Sequence, residues 1–497
     1  MATAPISLVT GASRPMPEKP LSPLAVDVDG TLLRGDLLAE QALAFLRGNP
    51  FRIVLLLVWL LGGRAALKRR LAERVELDAE ALPINEDLVG FIEAERAKGR
   101  EVHIATASDA MAAAALVRRF SFVDGLIASD GVSNLKGETK AAALTARFPG
   151  GFAYAGDSSA DLPVWRAATE SVVVGASAST LKAAEAIRTP LAVIPRPKAG
   201  LKTVLKAARV HQWAKNALVF VPMILGGEAL HPHTWGVVAL GFLLLGILAS
   251  STYVLNDLWD LNDDRRHWSK RERAFASGRL PIAAGLIAAP LGIAVALIGG
   301  ALISWGVFAA LAAYLVVTLA YSFRLKRVAV LDVFTLAALF TLRLVIGVAL
   351  AGVVGSPWLL VFSMFIFSSL SFAKRHTEMA RVAQSGATKA GGRGYVAADV
   401  PFLICMGTAT GMSAVLVMVL YIFNEAFPAD MYRTPQALWV FPCVLFLWLG
   451  RVWVLSGRDE LHDDPVAFAV RDRASIALGG IMALAFVAAV APVGRFW

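Results

Sequence analysis

Two clusters of polar residues have the types and spacing for chemistry. In LAVDVDGTLL, Leu24 to Leu33, a short apolar run ends in Asp27 and Asp29. Side chains two apart on a strand share a face, and the carboxyl ends of sheet strands are where open α/β sheets bind ligands. Carboxylates placed there can serve as nucleophile and as general acid/base beside a bound cation. EVHIATASD ends a second such run in Thr106 and Ser108, and GFAYAGDSSAD ends a third in Asp157 and Asp161. Lys140 opens a helical pattern at GETK.

The second cluster lies in STYVLNDLWDLNDDRRHWSKRERAFASGRLP. Asp257, Asp260 and Asp264 fall at i, i+3 and i+7, with Asn256 four residues before Asp260, so a continuous helix would carry all four on one face. Acids at a membrane boundary are costly unless bound or solvated. Oxygen donors of this kind suit Mg²⁺, which takes few carboxylates and completes its shell with waters and phosphate oxygens. Arg266, Lys270, Arg271 and Arg273 follow, in reach of phosphate oxygens.

The elements that must position these groups differ between the two halves. The chain of 497 residues is 57% hydrophobic and 17% charged, against roughly 25% charged in soluble domains. To about Pro197 charges mix with short apolar runs, as in a soluble α/β domain; from about Val210 long apolar stretches alternate with charged loops. A bilayer span needs about 20 mostly apolar residues. Nine candidates fall near 213–229, 234–256, 281–299, 302–322, 329–351, 357–373, 400–423, 436–456 and 475–493, the third and fourth being barely separated.

Loops after the even-numbered spans collect Lys and Arg: Arg265 to Arg279, Arg324 to Arg327, Lys374 to Arg393, and Arg458 to Arg473. The opposite loops and the tail hold only Arg433 and Arg495. This bias predicts an integral inner (plasma) membrane protein whose N-terminal domain and active sites face the cytoplasm, with the C-terminus outside. Residues 1–23, with Pro15, Pro17, Pro20 and Pro23 and no apolar core, read as a flexible N-terminus and not a signal peptide. The net charge of +10 fits membrane orientation and anionic head-groups better than nucleic acid, which is not expected as a partner. Cys405 and Cys443 lie in apolar stretches and read as packing residues. The segment Phe51 to Gly63, too short to span, fits either a buried helix or an interfacial one with Lys68, Arg69 and Arg70 at the head-groups.

The four pieces of the first cluster, in order, resemble the haloacid-dehalogenase (HAD) superfamily of phosphotransferases over residues 24–190. The resemblance implies a Rossmann-like α/β domain with Asp27 as nucleophile and Asp29 as general acid/base. It makes Thr106 (or Ser108) the phosphoryl-binding hydroxyl and Lys140 the neutralising cation. Mg²⁺ would be held by Asp27, Asp29 and Asp157, with Asp161 as a further candidate.

After a Pro- and Gly-containing linker at 191–204, residues 205–497 resemble the intramembrane UbiA prenyltransferase superfamily. NDxxDxxxD, followed by a basic stretch and ASGRLP, carries the likeness. This implies an all-α polytopic domain of about nine transmembrane helices, with Mg²⁺ on Asn256, Asp257, Asp260 and Asp264. The second acidic motif usual in that superfamily is reduced here to Asp332, preceded by Lys326 and Arg327.

That departure, VHQWAKN with Gln212, Lys215 and Asn216, and SLSFAKRHTEM with Lys374 and Arg375 are similar to one branch, the decaprenyl-phosphate phosphoribosyltransferases. In that branch an Arg-Pro usually precedes the HQW-like segment; here it is Arg209-Val210. The branch implies transfer of 5-phosphoribose from phosphoribosyl pyrophosphate (PRPP) to polyprenyl (decaprenyl) phosphate. Gln212, Lys215, Asn216, Arg266, Lys270, Arg271, Lys326, Asp332, Lys374 and Arg375 become the substrate-binding candidates. The attached domain would then remove the 5-phosphate to leave polyprenyl-phosphoryl-ribose, a precursor of lipid-linked arabinose. The alternative is a prenyltransferase moving a polyprenyl chain from its diphosphate to an aromatic acceptor. The sequence leaves the oligomeric state open.

Overall fold

The computed structural model describes residues 21–131, 134–196, 199–386, 394–429, 431–461 and 468–490. The expected flexible N-terminus, but for residues 21–23, lies outside the described residues, as do Lys389, Arg393 and Arg495. The chain divides into two compact units. One comprises residues 1–204 together with 257–285, and the other residues 205–256 with 286–497. The loop that follows the second acidic cluster thus belongs with the N-terminal unit.

The N-terminal unit is built on a six-stranded sheet of order β3-β2-β1-β4-β5-β6. Its strands are β1 (Leu24–Val26), β2 (Val102–Asp109), β3 (Gly125–Ser129), β4 (Ala153–Gly156), β5 (Glu170–Val174) and β6 (Ala192–Ile194). All pairings are parallel. Such a sheet is covered on both faces and its strands read as near-continuous apolar runs. Accordingly Leu24 and Val26 pack with Leu88, Ile92 and Ile104 on one face, while Ala25 joins Tyr154 and Trp165 on the other. The strand order reverses at β1, whose neighbours are β2 and β4. A crevice forms at such a switch point beyond the carboxyl ends of the strands. Asp27 and Asp157 stand there, each one residue past its strand.

The helix Ile53–Leu61 decides between the two readings of the short apolar segment. Leu56 and Trp59 pack against Phe45, Leu67 and Leu71. The rest of the segment is bare: Phe51 is 84% and Leu61 89% exposed, and Val54, Leu57 and Val58 are each more than half exposed. A buried helix is therefore excluded. The basic run after it does not simply face head-groups, because Lys68 Nζ donates to Ala107 O at 2.6 Å, near the carboxyl end of β2.

In the second unit, eight helices among the described residues are long and apolar enough to cross a membrane. They are Pro232–Trp259, Ile282–Ile303, Trp305–Phe323, Leu331–Ala351, Pro357–Gln384, Ala397–Ala426, Pro435–Gly457 and Arg473–Val490. The first of the nine expected spans is not one α-helix. Val210–Phe220 forms a 3₁₀ helix and Val221–Leu225 one short α-helical stretch, closed by Gly226 and Gly227. A 3₁₀ helix rises about 2 Å per residue, so the composite still extends about 30 Å. It lies flush on Leu331–Ala351, where a Cβ on Gly347 would come within 2.3 Å of Val219 O. Cys405 and Cys443 are exposed and do not serve the packing role expected of them.

Candidate active sites

At the sheet's switch point the expected residues converge. Asp27 Oδ1 accepts from the Val28 N–H at 2.9 Å and pairs with Lys140 Nζ at 2.9 Å. Lys140, itself buried, also donates to Tyr154 OH, and that hydroxyl donates to Asp161 Oδ1 at 2.7 Å. Asp161 Oδ2 accepts from the N–H groups of Asp157 and Ser158 and from Ser158 Oγ. Asp161 thereby fixes the loop that presents Asp157. Ligand atoms of Asp27, Asp157 and Asp161 lie within 4.8 Å of one another. Gly30, at φ +80°, admits this approach: a Cβ there would meet Asp157 Oδ2 at 2.2 Å. An all-oxygen cluster of this size is of the kind that a hard dication binds.

Asp29 is placed differently from expectation. β1 ends at Val26, so strand alternation does not aim it. Instead its oxygens accept from the Leu37 N–H at 2.7 Å and Ser108 Oγ at 2.6 Å, and it stays outside the acidic triad. Among the described residues the group of candidate cation ligands therefore does not include it. Burial pushes its carboxyl up to about 7, which suits a general acid near neutral pH. Asp157 is raised to about 7, first by burial and then by Asp161 and Asp27. Asp27 is also raised by burial, against the pull of Lys140. Thr106 is buried and its Oγ1 accepts from the Ser108 N–H at 3.0 Å. A register shift between Thr106 and Asp109 turns Ser108 toward Asp29.

The second acidic cluster is arranged otherwise. The helix Pro232–Trp259 carries Asn256 and Asp257, stops at Asp260, and resumes as Leu261–Arg266 with Asp264. The single continuous face expected for the four residues is therefore broken at Asp260. Asp257 and Asp264 are joined through Arg273, whose Nη1 lies 3.2 Å from Asp257 Oδ1 and 2.7 Å from Asp264 Oδ2. A guanidinium supplies the counter-charge that a dication would bring. Burial raises the Asp264 carboxyl and Arg273 lowers it. Arg266 pairs with Asp78, and Arg265 forms a two-pronged bond to the buried Glu40 at 3.0 and 2.6 Å. Lys270 and Arg271 are exposed.

In the membrane unit, Arg375 is not free for substrate. It is 1% exposed, with Nε 2.7 Å from Asp332 Oδ2 and Nη1 2.6 Å from Glu378 Oε2. Tyr395 OH donates to Asp332 Oδ1 and accepts from the Val330 N–H. Val330 sits at φ +67°, a conformation that costs a β-branched residue about 1–3 kcal/mol and is held by this network. Lys326 and Lys374 are half-buried, as is Gln212. Lys215 Nζ stands 5.9 Å over the Phe340 ring. Asn216 is buried and its Oδ1 accepts from Arg343 Nε at 3.1 Å, while its Nδ2 has no hydrogen-bond partner among the described residues.

Arg343 escaped the sequence reading. It is a buried cation within a span, bonded to Asn216, Tyr314 OH and Leu339 O. A lone arginine in LFTLRLVIG was signal enough. Lys68, Tyr154 and Arg196 were also missed, because only the tertiary fold brings them to the Asp27 centre. Burial lowers the Lys68 ammonium and the Asp29 charge raises it.

The comparisons agree with this architecture. The model of the UbiA prenyltransferase family matches residues 217–493. The chain belongs to that family. It is 41% identical over 473 residues to the Sinorhizobium fredii protein y4nM, covering 94% of this chain and 91% of that one. It is 32% identical over 204 residues to a decaprenyl-phosphate phosphoribosyltransferase of Mycolicibacterium smegmatis, covering 38% of this chain and 61% of that one. Among solved structures, a UbiA homolog from Archaeoglobus fulgidus bound to DMAPP and Mg²⁺ matches 58% of this chain and 97% of that one, at 16% identity and TM-score 0.44. A HAD family hydrolase from Salmonella enterica matches 37% of this chain and 71% of that one, at 16% identity and TM-score 0.26. The UbiA-family chain is thus a multi-pass membrane protein of a transferase family, with a parallel α/β unit at its N-terminus.

Proposed function

We propose that this UbiA-family protein transfers 5-phosphoribose from PRPP to a polyprenyl phosphate, and that its N-terminal unit is a phosphatase acting on the product. The observation that carries the reading is the Asp332–Arg375–Glu378 cluster. Where a prenyltransferase would place a second acidic motif, one carboxylate is matched by a fully buried guanidinium. Lys326 precedes it and Lys374 adjoins Arg375 in sequence, a charge pattern suited to a second anionic substrate. The similarity to decaprenyl-phosphate phosphoribosyltransferases supports the same choice.

In the transferase step an acceptor phosphate oxygen attacks C1 of the ribose, and the C1–O bond to pyrophosphate breaks. Asn256, Asp257, Asp260 and Asp264 would hold Mg²⁺, which supplies positive charge to the departing pyrophosphate. Lys215, Lys326 and Lys374 are the substrate-phosphate ligands, with Gln212, Asn216, Lys270 and Arg271 as further contacts. In the phosphatase step Asp27 attacks phosphorus and the ester P–O bond breaks. Asp29 gives its proton to the leaving 5-oxygen, while Lys140 and Thr106 hold the phosphoryl oxygens. Water, deprotonated by Asp29, then hydrolyses the aspartyl-phosphate. The Lys and Arg bias of the loops favours the cytoplasmic face for both sites, which would let one product serve the other.

The test is product analysis of purified protein with Mg²⁺, PRPP and a polyprenyl phosphate, beside Asp257→Asn. Ribosylated lipid from wild type and at least a hundredfold less from the variant is expected. Consumption of a polyprenyl diphosphate and an aromatic acid, with no ribosylated lipid, would replace this reading by prenyl transfer.

A further inference from the structure

Within the N-terminal unit, beside the Asp27 centre, lies a cavity of 1040 Å³. Its walls come from four separate parts of the sequence and carry Arg34, Arg196, Arg265, Arg266, Arg271 and Arg279. Every basic residue in its lining is arginine. The acids Asp78, Glu80, Glu86 and Glu272 also line it. Arg265 and Arg266 are matched by Glu40 and Asp78 and build the wall. Among the described residues Arg34 has one ion pair, a loose one 3.7 Å from the exposed Asp87. Arg279 Nε donates to Ser277 Oγ at 3.0 Å and its Nη2 to Glu272 O, which orient the guanidinium.

The cavity and the catalytic loop share residues. Gly30, which makes room for Asp157, donates its N–H to Gly35 O at 2.9 Å, so residues 30–35 form one tight loop. Arg34, at the far end of that loop, presses on Gly278: a Cβ on Gly278 would lie 2.4 Å from Arg34 O. Arg196 Nη2 clamps both strands of the junction, donating to Arg34 O at 2.9 Å and Gly278 O at 2.8 Å. The Arg196 charge also acts on the Asp157 carboxylate, lowering it against burial. Arg34 and Arg196 thus belong both to the cavity wall and to the surroundings of the catalytic loop.

We infer that this cavity is the substrate groove of the Asp27 centre and binds a second phosphate, carried on the same molecule as the phosphate monoester that Asp27 attacks. The planar fork of arginine matches phosphate oxygens in pairs, and arginine keeps its charge when partly buried. The inference rests on the phosphatase reading above and names its substrate class: sugar phosphates bearing a further phosphodiester, phosphate or pyrophosphate group. It also gives residues 257–285, which follow the second acidic cluster, a role in phosphatase selectivity.

The test uses the full-length protein with Mg²⁺ and compares kcat/KM on three substrates. These are ribose 5-phosphate, ribose 1,5-bisphosphate and farnesyl-phosphoryl-ribose 5-phosphate. Wild type is expected to favour a doubly phosphorylated substrate over ribose 5-phosphate by at least tenfold. Arg279→Gln and Arg34→Gln should each lower that ratio by threefold or more. Because the readout is a ratio, loss of folded protein cancels. Preference for both second-phosphate substrates assigns the site to phosphate as such; preference for the farnesyl compound alone assigns it to the lipid phosphodiester. Equal kcat/KM on all three, or a ratio unmoved in both variants, overturns the inference. If p-nitrophenyl phosphate is hydrolysed but no ribose ester is, the substrate proposed above falls. The groove is then judged by pyrophosphate inhibition: a threefold weakening in Arg279→Gln upholds it, and no change overturns it.

Discussion

The Asp27 centre and the Asp257 cluster are both built from carboxylates close in sequence, yet they differ in how the fold handles the charge. In the first, backbone N–H groups, Tyr154 and Lys140 hold three acids with ligand atoms inside 4.8 Å. In the second, the helix breaks at Asp260 and Arg273 bridges Asp257 and Asp264. A sheet's switch point fixes side chains on several strands at once, whereas a helix end fixes only those on its own turns. The first centre is therefore assembled by its own hydrogen bonds, whereas in the second Arg273 stands between Asp257 and Asp264.

The largest effect expected from this comparison lies in a third acidic site, where neutralisation is internal and permanent. Arg375→Ala leaves Asp332 buried without its guanidinium and should cost about 3–5 kcal/mol, read from thermal or denaturant unfolding in detergent. A loss under 1 kcal/mol would mean that the pair is not a structural one. Next, Arg273→Gln removes the counter-charge between Asp257 and Asp264. It should cost about 1–3 kcal/mol in EDTA, most of it recovered by millimolar Mg²⁺. Failure of Mg²⁺ to restore stability would show that these acids do not form a cation site.

A smaller effect separates the first centre from the second by pH. Asp29 and Asp157 titrate at about 7 in the folded protein against a usual value of 3.8. Their folded values are raised, so the stability they contribute is full below the unfolded value and is lost as pH rises toward 7. Metal-free protein should therefore melt several degrees lower at pH 8 than at pH 5, with Mg²⁺ restoring stability at pH 8. A melting temperature that rises over this interval would contradict the burial of these groups. The smallest effect concerns the bare helix: Val58→Ser, at a position 52% exposed, should change stability in detergent by no more than about 0.5 kcal/mol. A larger loss would mean that this face is packed.

Much of the first centre was legible because its residues sit at the ends of apolar runs, whereas the order of the strands in the sheet was not read from them. Asp29 was misaimed because β1 ends at Val26, three residues earlier than the alternation assumed. The helix break at Asp260 was hidden, since Leu261, Asn262 and Asp263 continue a helical pattern without Gly or Pro. Hydropathy identified the stretch 213–229 as apolar but could not show a 3₁₀ helix, which buries the same residues at a different rise. Arg375 looked like a substrate ligand because its partner Asp332 is 43 residues away. Lys68 appeared among neighbouring basic residues as a head-group contact, and only the turn of Arg64–Ala72 toward β2 assigns it to the catalytic end.

The central claim, two active sites used in succession, is tested most directly by replacing Asp27 with Asn and analysing the lipid products formed from PRPP and a polyprenyl phosphate. Accumulation of the 5-phosphorylated ribosyl lipid in the variant, and of its dephosphorylated form in wild type, is the predicted result. Identical products from the two proteins would contradict it.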